Sequence, residues 1–183
     1  EIGKNIPVHT SLIGDVKCVL KKLAAEVPRI EHANWHAEIA KIKAHVDISC
    51  NHREDALDPQ MILETAHGYM PEGGIVATDV GQHQMWTAQY YRFSRPRTFI
   101  TSGGLGTMGF GMGAAIGACI GTGKRTLLIT GDGSFHMNLI EMATAVTNGL
   151  PLVVIIMNNN ALGMVKQWQE LFFGERYSNT ILN

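Results

Sequence analysis

Two short polar stretches, Gly131-Asp132-Gly133-Ser134 and Asn158-Asn159-Asn160, carry residue types that could hold a metal ion and a phosphate. A carboxylate from Asp132, an amide oxygen from Asn159 and a backbone carbonyl make a hard but incomplete ligand set. Such a set suits Mg2+, which completes its octahedron with ligand phosphates and water. Gly133 lets the backbone approach a phosphate closely, and Ser134 offers it a hydroxyl and an N–H. Taken singly, each stretch also reads as an ordinary turn or polar loop. Their joint spacing is the specific feature.

A scaffold must bring the two stretches together. Arg125–Thr130 is a short apolar, β-branched run that breaks at Gly-Asp-Gly, which puts Asp132 at the carboxyl end of a buried strand. Leu139, Ile140, Ala143 and Val146 recur at helical spacing. After Asn148-Gly149-Leu150-Pro151, the run Leu152–Met157 is apolar on both faces, as expected of a strand covered by helices on both sides. A right-handed crossover then brings the carboxyl ends of two parallel strands to one edge, where open parallel sheets bind ligands. Asp58-Pro59 starts an earlier helix with Ile62, Leu63, Ala66 and Tyr69 as its buried stripe. Gly74–Thr78 is the strand that delivers Asp79–His83 to the same edge, where Gln82 and His83 can donate to phosphate oxygens. Thr98–Thr101 adds another strand ahead of a Gly- and Ala-rich helix, whose small residues point to close packing against another helix or chain. The expected fold class is α/β, a doubly wound, mainly parallel sheet with helices on both faces.

Asn159 is the second Asn of an Asn-Asn pair and stands 27 residues after Asp132, so that with Gly131-Asp132-Gly133 it resembles the thiamine diphosphate motif. Asp79-Val-Gly-Gln-His-Gln-Met-Trp86, Thr101-Ser-Gly-Gly-Leu-Gly-Thr-Met-Gly-Phe110 and Leu162-Gly-Met-Val-Lys-Gln-Trp-Gln-Glu170 narrow the resemblance to the acetohydroxyacid synthase (acetolactate synthase) family, large subunit. The resemblance covers nearly the whole chain. It implies a thiamine diphosphate-binding fold in which Val80, Gly81, Gln82 and His83, together with Gly131, Asp132, Gly133 and Ser134, reach the diphosphate. Asp132, Asn159 and the carbonyl of Ala161 would hold Mg2+. Met108 would be the thioether wedge that keeps the two rings of the cofactor folded together, with the Gly106 carbonyl accepting a hydrogen bond from the aminopyrimidine. Gly163 and Met164 would open a helix whose N-terminus faces the diphosphate. Met164, Val165 and Trp168 would line the substrate entry, Trp168 shaping which second 2-ketoacid is accepted.

The implied reaction decarboxylates pyruvate and joins the remaining two-carbon unit to a second 2-ketoacid, giving 2-acetolactate or 2-aceto-2-hydroxybutyrate for branched-chain amino acid biosynthesis. The family's activating Glu comes from the amino-terminal domain of a partner chain, so no acid-base catalyst is expected in this stretch and the stretch alone is expected to be inactive. FAD, a homodimer or tetramer, and a regulatory small subunit belong to the family's full-length enzyme. One departure stands out. Met112-Gly113 occupies the place where the family commonly has Leu-Pro, which touches helix geometry and no cofactor ligand.

Two other readings remain open beside this one. The same clamp would serve a different thiamine-dependent decarboxylase or carboligase. Gly104-Leu-Gly106-Thr-Met108-Gly109 also spells the Gly-x-Gly-x-x-Gly fingerprint of a nicotinamide-dependent oxidoreductase or a cofactor-binding module. That fingerprint wants an acidic residue roughly 20 positions on, whereas Asp132 lies further away between two glycines, and it leaves Asn158-Asn159 unexplained.

With 183 residues, 45% of them hydrophobic, the chain can bury a core for one domain with an appended piece. A net charge of −1 argues against a nucleic-acid footprint. Three widely spaced cysteines fit a reducing compartment. No apolar run is long enough to span a bilayer and no signal peptide is seen. The expected location is cytoplasmic, or plastid or mitochondrial in a eukaryote. Residues 1–54 read as the βα tail and linker of a truncated middle domain. In it, Val8–Gly14 is a strand, Asp15 caps a helix carrying Val16, Val19, Leu20, Leu23 and Val27, and Trp35, Ile39, Ile42 and Val46 mark a second helix. Cys50–Leu57 reads as the linker, with the boundary near Asp55. Residues 55–183 are then the diphosphate-binding domain, expected to be cut short at its carboxyl end, so that the whole reads as an excised fragment. His32 and His36 stand one turn apart but lack a third ligand and read as a solvated helix face.

Overall fold

The computed structural model describes residues 2–46 and 57–182. The linker expected before Leu57 and the boundary near Asp55 lie outside the described residues. The chain divides into two compact units, residues 1–47 and 48–183.

The first unit holds two helices, α1 (Val16–Glu26) and α2 (Ala33–His45). Asp15 caps α1 as expected, its Oδ1 accepting from Cys18 N at 3.0 Å. The strand expected at Val8–Gly14 does not form. A single weakly alternating run has no ladder to join among the described residues of this unit, and an isolated strand cannot satisfy its own backbone.

The second unit runs α3 (Pro59–Tyr69), β1 (Ile75–Thr78), α4 (Gln82–Tyr90), β2 (Phe99–Ile100), α5 (Phe110–Thr122), β3 (Thr126–Gly131), α6 (Asp132–Asn138), a 3-10 turn (Leu139–Glu141), α7 (Met142–Thr147), β4 (Leu152–Met157) and α8 (Gly163–Phe172). The four strands form one wholly parallel sheet in the order β2-β1-β3-β4. Both faces are covered, and alternation along the strands decides which side chain goes where. Val76, Leu127 and Ile129 pack with Leu63 and Ala66 of α3 on one face. Ala77 and Leu128 pack with Met112, Ala115 and Ile116 of α5 and Ala145 of α7 on the other. This is the doubly wound α/β architecture that the hydrophobic runs imply. Met112 is core while Gly113 faces open space, so the Met-Gly departure touches packing rather than the site.

Three packing expectations are corrected. Tyr69 is 83% exposed, and α3 instead buries Leu63 and Ala66, with Ile62 and Met70 half-buried beside them. The stripe Leu139, Ile140, Ala143 and Val146 is not buried, Ile140 and Val146 each being 75% exposed. The segment is no single helix: a 3-10 turn advances about 120° per residue against 100° for α, so it rotates the pattern off the core face and Ala145 goes inside instead. Finally, β4 is an edge strand, with Val153 and Ile156 more than two-fifths exposed, so its apolar run is only partly covered.

Candidate functional site

The connection from β1 leads outward to β2, and that from β3 leads the other way to β4, so the chain reverses direction between the two central strands. Crevices at such a switch point, beyond the carboxyl ends of the strands, are where open α/β sheets bind ligands. A cavity of about 220 Å3 lies there, and the connections that leave all four strands reach it. Val80–His83 follow β1, Gly106 and Met108 follow β2, Gly131–Ser134 follow β3, and Asn159 and Ala161 follow β4. Ser134 Oγ donates to the Val80 carbonyl at 3.0 Å and so ties the two central turns together.

The three consecutive asparagines are explained by their loop. Asn158 Oδ1 accepts from Asn160 N at 3.0 Å, and Asn160 takes the left-handed conformation (φ 53°) that Asn tolerates. Asn159 Oδ1 accepts from Ala161 N at 3.1 Å, while its Nδ2 donates to Gln82 Oε1 at 3.3 Å. Ala161 forms an antiparallel bridge with Ile181, in which Leu162 N donates to Thr180 O and Leu182 N to Asn160 O, both at 2.8 Å. Those bonds belong to the neighbours of Ala161. Its own N–H and C=O therefore face away from the tail, the N–H donating to Asn159 Oδ1.

His83 is wedged between two glycines. A Cβ on Gly81 would lie 2.9 Å from its ring and one on Gly131 3.1 Å, so neither position admits a side chain without moving the imidazole. Burial pushes the His83 pKa down to about 4, against the opposing pull of Asp79 and Asp132, and the ring is neutral at neutral pH. Its Nε2 is buried and has no hydrogen-bond partner among the described residues. A buried orphan of this kind in a cavity wall marks a place for a polar ligand.

The dinucleotide fingerprint fails on geometry. It would leave the N-terminus of α5 open to a pyrophosphate, but the Asp79 carboxylate fills it, accepting from Gly109 N at 2.9 Å and Gly111 N at 2.8 Å. Residues 79–182 match the family described as thiamine pyrophosphate enzyme, C-terminal TPP binding domain. The chain belongs to this family. Thiamine pyrophosphate, or thiamine diphosphate, is the ligand this domain is named for. Over its whole length the chain is 42% identical to the acetolactate synthase isozyme 2 large subunit of Escherichia coli, of which it covers 33%, and 42% identical to the acetolactate synthase of Mycobacterium bovis, of which it covers 31%. It is 39% identical to the chloroplastic acetolactate synthase 1 of Nicotiana tabacum, covering 28% of it. The chain thus spans about a third of the length of the curated relatives it matches.

The residues of this thiamine pyrophosphate-binding domain fit the cofactor. Beside the orphaned His83 Nε2, the N-termini of α4 and α8 have no side-chain cap and both reach the cavity, leaving backbone N–H groups for an anion. Asp132, Asn159 and Ala161 supply a carboxylate, an amide oxygen and a carbonyl around the same space, the hard donors that Mg2+ takes. The methyl of Met108 lies 3.9 Å from where a Cβ on Gly133 would stand, so the proposed wedge faces the Gly-Asp-Gly turn.

Among the residues expected at the site, those from Val80 to Ser134 and from Asn159 to Val165 line the cavity together, and Trp168 does not. It stands exposed on α8, tilted against Phe172 with ring centroids 5.2 Å apart. Trp86, Met157 and Leu162 line the cavity without having been singled out. For Trp86 the signal was available: it lies one helical turn beyond His83 on α4.

A Cβ on Gly163 would overlap the amide of Gln82 and lie 2.7 Å from Asn159 Nδ2. Gly163→Ala is therefore expected to weaken thiamine diphosphate binding by roughly tenfold in a calorimetric titration. The ligand-free melting temperature should change little, because the atoms met are the free ends of the Gln82 and Asn159 side chains.

Proposed function

We propose that this chain is the metal- and diphosphate-holding part of the catalytic subunit of an acetolactate synthase. The enzyme would decarboxylate pyruvate and condense the product with a second 2-ketoacid to 2-acetolactate or 2-aceto-2-hydroxybutyrate, in branched-chain amino acid biosynthesis. The observation that carries this is the convergence of the connections that leave all four strands on one cavity, where Asp132, Asn159, Ala161 and the orphaned His83 nitrogen meet. The identity to acetolactate synthases over the whole chain supports this chemistry over other thiamine-dependent ones.

When bound, thiamine diphosphate supplies the electron sink for decarboxylation and carbon–carbon bond formation. The chain's own residues bind and orient it. Asp132, Asn159 and the Ala161 carbonyl hold Mg2+. Val80–His83, Gly131, Gly133 and Ser134 take the diphosphate, with Gly163 and Met164 at the mouth of α8. Met108 and the Gly106 carbonyl position the ring end. Met164, Val165 and Trp168 shape the entry for the second 2-ketoacid, Trp168 from outside the cavity wall. No residue here is assigned as acid-base catalyst. Residues 1–54 belong to a middle domain on this reading, and FAD, the homodimer or tetramer contacts and a regulatory small subunit belong to the full-length enzyme, in the cytoplasm or an organelle. Among the described residues no helix is long and apolar enough to cross a membrane.

Incubation of the full-length chain with pyruvate, Mg2+ and thiamine diphosphate is expected to yield acetolactate, and the 183-residue chain alone none. Release of the decarboxylated aldehyde without condensation would instead assign a simple decarboxylase.

A further inference from the structure

Asp79 is 2% exposed, and its carboxylate is held by backbone alone. Oδ1 accepts from Val80 N at 2.8 Å and Gly109 N at 2.9 Å, and Oδ2 from Gly111 N at 2.8 Å. Charge-assisted bonds of this kind are roughly twice as strong as neutral ones. The space is shaped for it: a Cβ on Gly111 would lie 2.8 to 2.9 Å from Asp79 atoms. Gly109 is gripped from both sides, since its carbonyl accepts from Asn138 Nδ2 and its φ of +86° is one that glycine adopts without strain. The N–H that Asp79 takes from Gly109 belongs to the peptide bond joining it to Met108.

Asp79 therefore does two things at once. It fixes the peptide that follows Met108, and it places a negative charge on the N-terminus of α5 while those of α4 and α8 stay uncapped. A diphosphate approaching the sheet edge finds partial positive charge at α4 and α8 and none to spare at α5.

We propose that Asp79 is the positioning residue that sets the polarity of the site, keeping the Gly106–Met108 loop for the ring end of the ligand, which carries no negative charge, and sending the diphosphate to α4 and α8. The proposal rests on the thiamine diphosphate reading. It requires that the two ends of the cofactor respond differently to the loss of Asp79.

The test titrates full-length wild type, Asp79→Asn and Asn138→Ala with thiamine diphosphate and, separately, with inorganic diphosphate, each with Mg2+, by calorimetry. Asp79→Asn keeps the shape but opposes an amide N–H to a backbone N–H. It should weaken thiamine diphosphate binding by about 10- to 100-fold, the range spanned by losing a charge-assisted hydrogen bond, and change inorganic diphosphate binding by less than about threefold. Asn138→Ala, which releases Gly109 from the other side, should show the same discrimination at smaller size. Equal weakening of both ligands would make Asp79 a purely structural residue and overturn the proposal, as would no change in either. Absence of thiamine diphosphate binding by the wild type would overturn it together with the reading beneath it.

Discussion

Asp132→Ala is expected to abolish the rise in melting temperature that Mg2+ and thiamine diphosphate together give the chain. A ligand at 100 times its dissociation constant stabilises a protein by about 2.7 kcal/mol, a readable shift. Asp132 is the one carboxylate among the three donors, so on the proposed metal assignment it supplies the only full negative charge the protein offers the cation. Outer-shell partners of metal ligands are each worth about 10- to 100-fold in affinity, and a charged ligand should exceed that upper figure. At the same cofactor concentration the variant should melt as the ligand-free protein does. The local structure gives no reason for the variant to unfold. Asp132 is half-buried at the first position of α6, and no hydrogen bond involving its side chain contributes to the turn. Asp132→Asn, which keeps an oxygen but not the charge, should fall between the two. NADH should shift none of these proteins. A cofactor-dependent rise retained in full by Asp132→Ala would remove Asp132 from the metal site.

Why Asp132 could be picked out from residue types alone, while Asp79 could not, says how far this sequence is legible. Asp132 announces itself because strand, glycine, acid and glycine follow one another, and each feature is local. The asparagine run is local too: the side chain of Asn158 reaches Asn160 and that of Asn159 reaches Ala161, two residues on in each case. The parallel sheet followed from apolar runs of strand length. The partners of Asp79, by contrast, are glycine N–H groups about 30 positions later, and a backbone donor leaves no mark in a sequence. The stripe from Leu139 to Val146 failed for a related reason. Periodicity says that Leu139, Ile140, Ala143 and Val146 share a helix face only if one helix runs through all of them, and the 3-10 turn breaks that condition. The residues at 8–14 alternate as a strand does, yet alternation supplies no neighbour to bond with. Local chemistry and the meeting of distant turns at one sheet edge were readable; distant backbone partners and the exact run of a helix were not.

The second large effect concerns acid. His83 has a folded pKa of about 4 against 6.5 for the unperturbed side chain, because burial between Gly81 and Gly131 disfavours the imidazolium more than Asp79 and Asp132 favour it. Between those two values the unfolded chain binds a proton that the folded chain refuses. The unfolded state then holds more protons, so stability rises with pH across this window and falls as the medium is acidified. Each pH unit costs about 1.4 kcal/mol, and by pH 4 the loss attributable to this one ring approaches about 3 kcal/mol, a large share of the 5–15 kcal/mol typical of a whole domain. Ligand-free melting temperature should thus be nearly level above pH 7 and decline steadily from about pH 6.5 downwards. His83→Phe puts an uncharged ring of similar shape in the same slot. Its curve should be flatter between pH 6.5 and 4.5, even if its melting temperature at pH 7 is lower because the larger ring fits less well between Gly81 and Gly131. An unchanged slope would mean that the folded ring takes up its proton over the same pH range as the unfolded one. The same refusal of a proton is what fits His83 for its proposed place. A permanently charged imidazolium there would compete with Mg2+ for Asp132, whereas a neutral ring leaves that carboxylate to the metal.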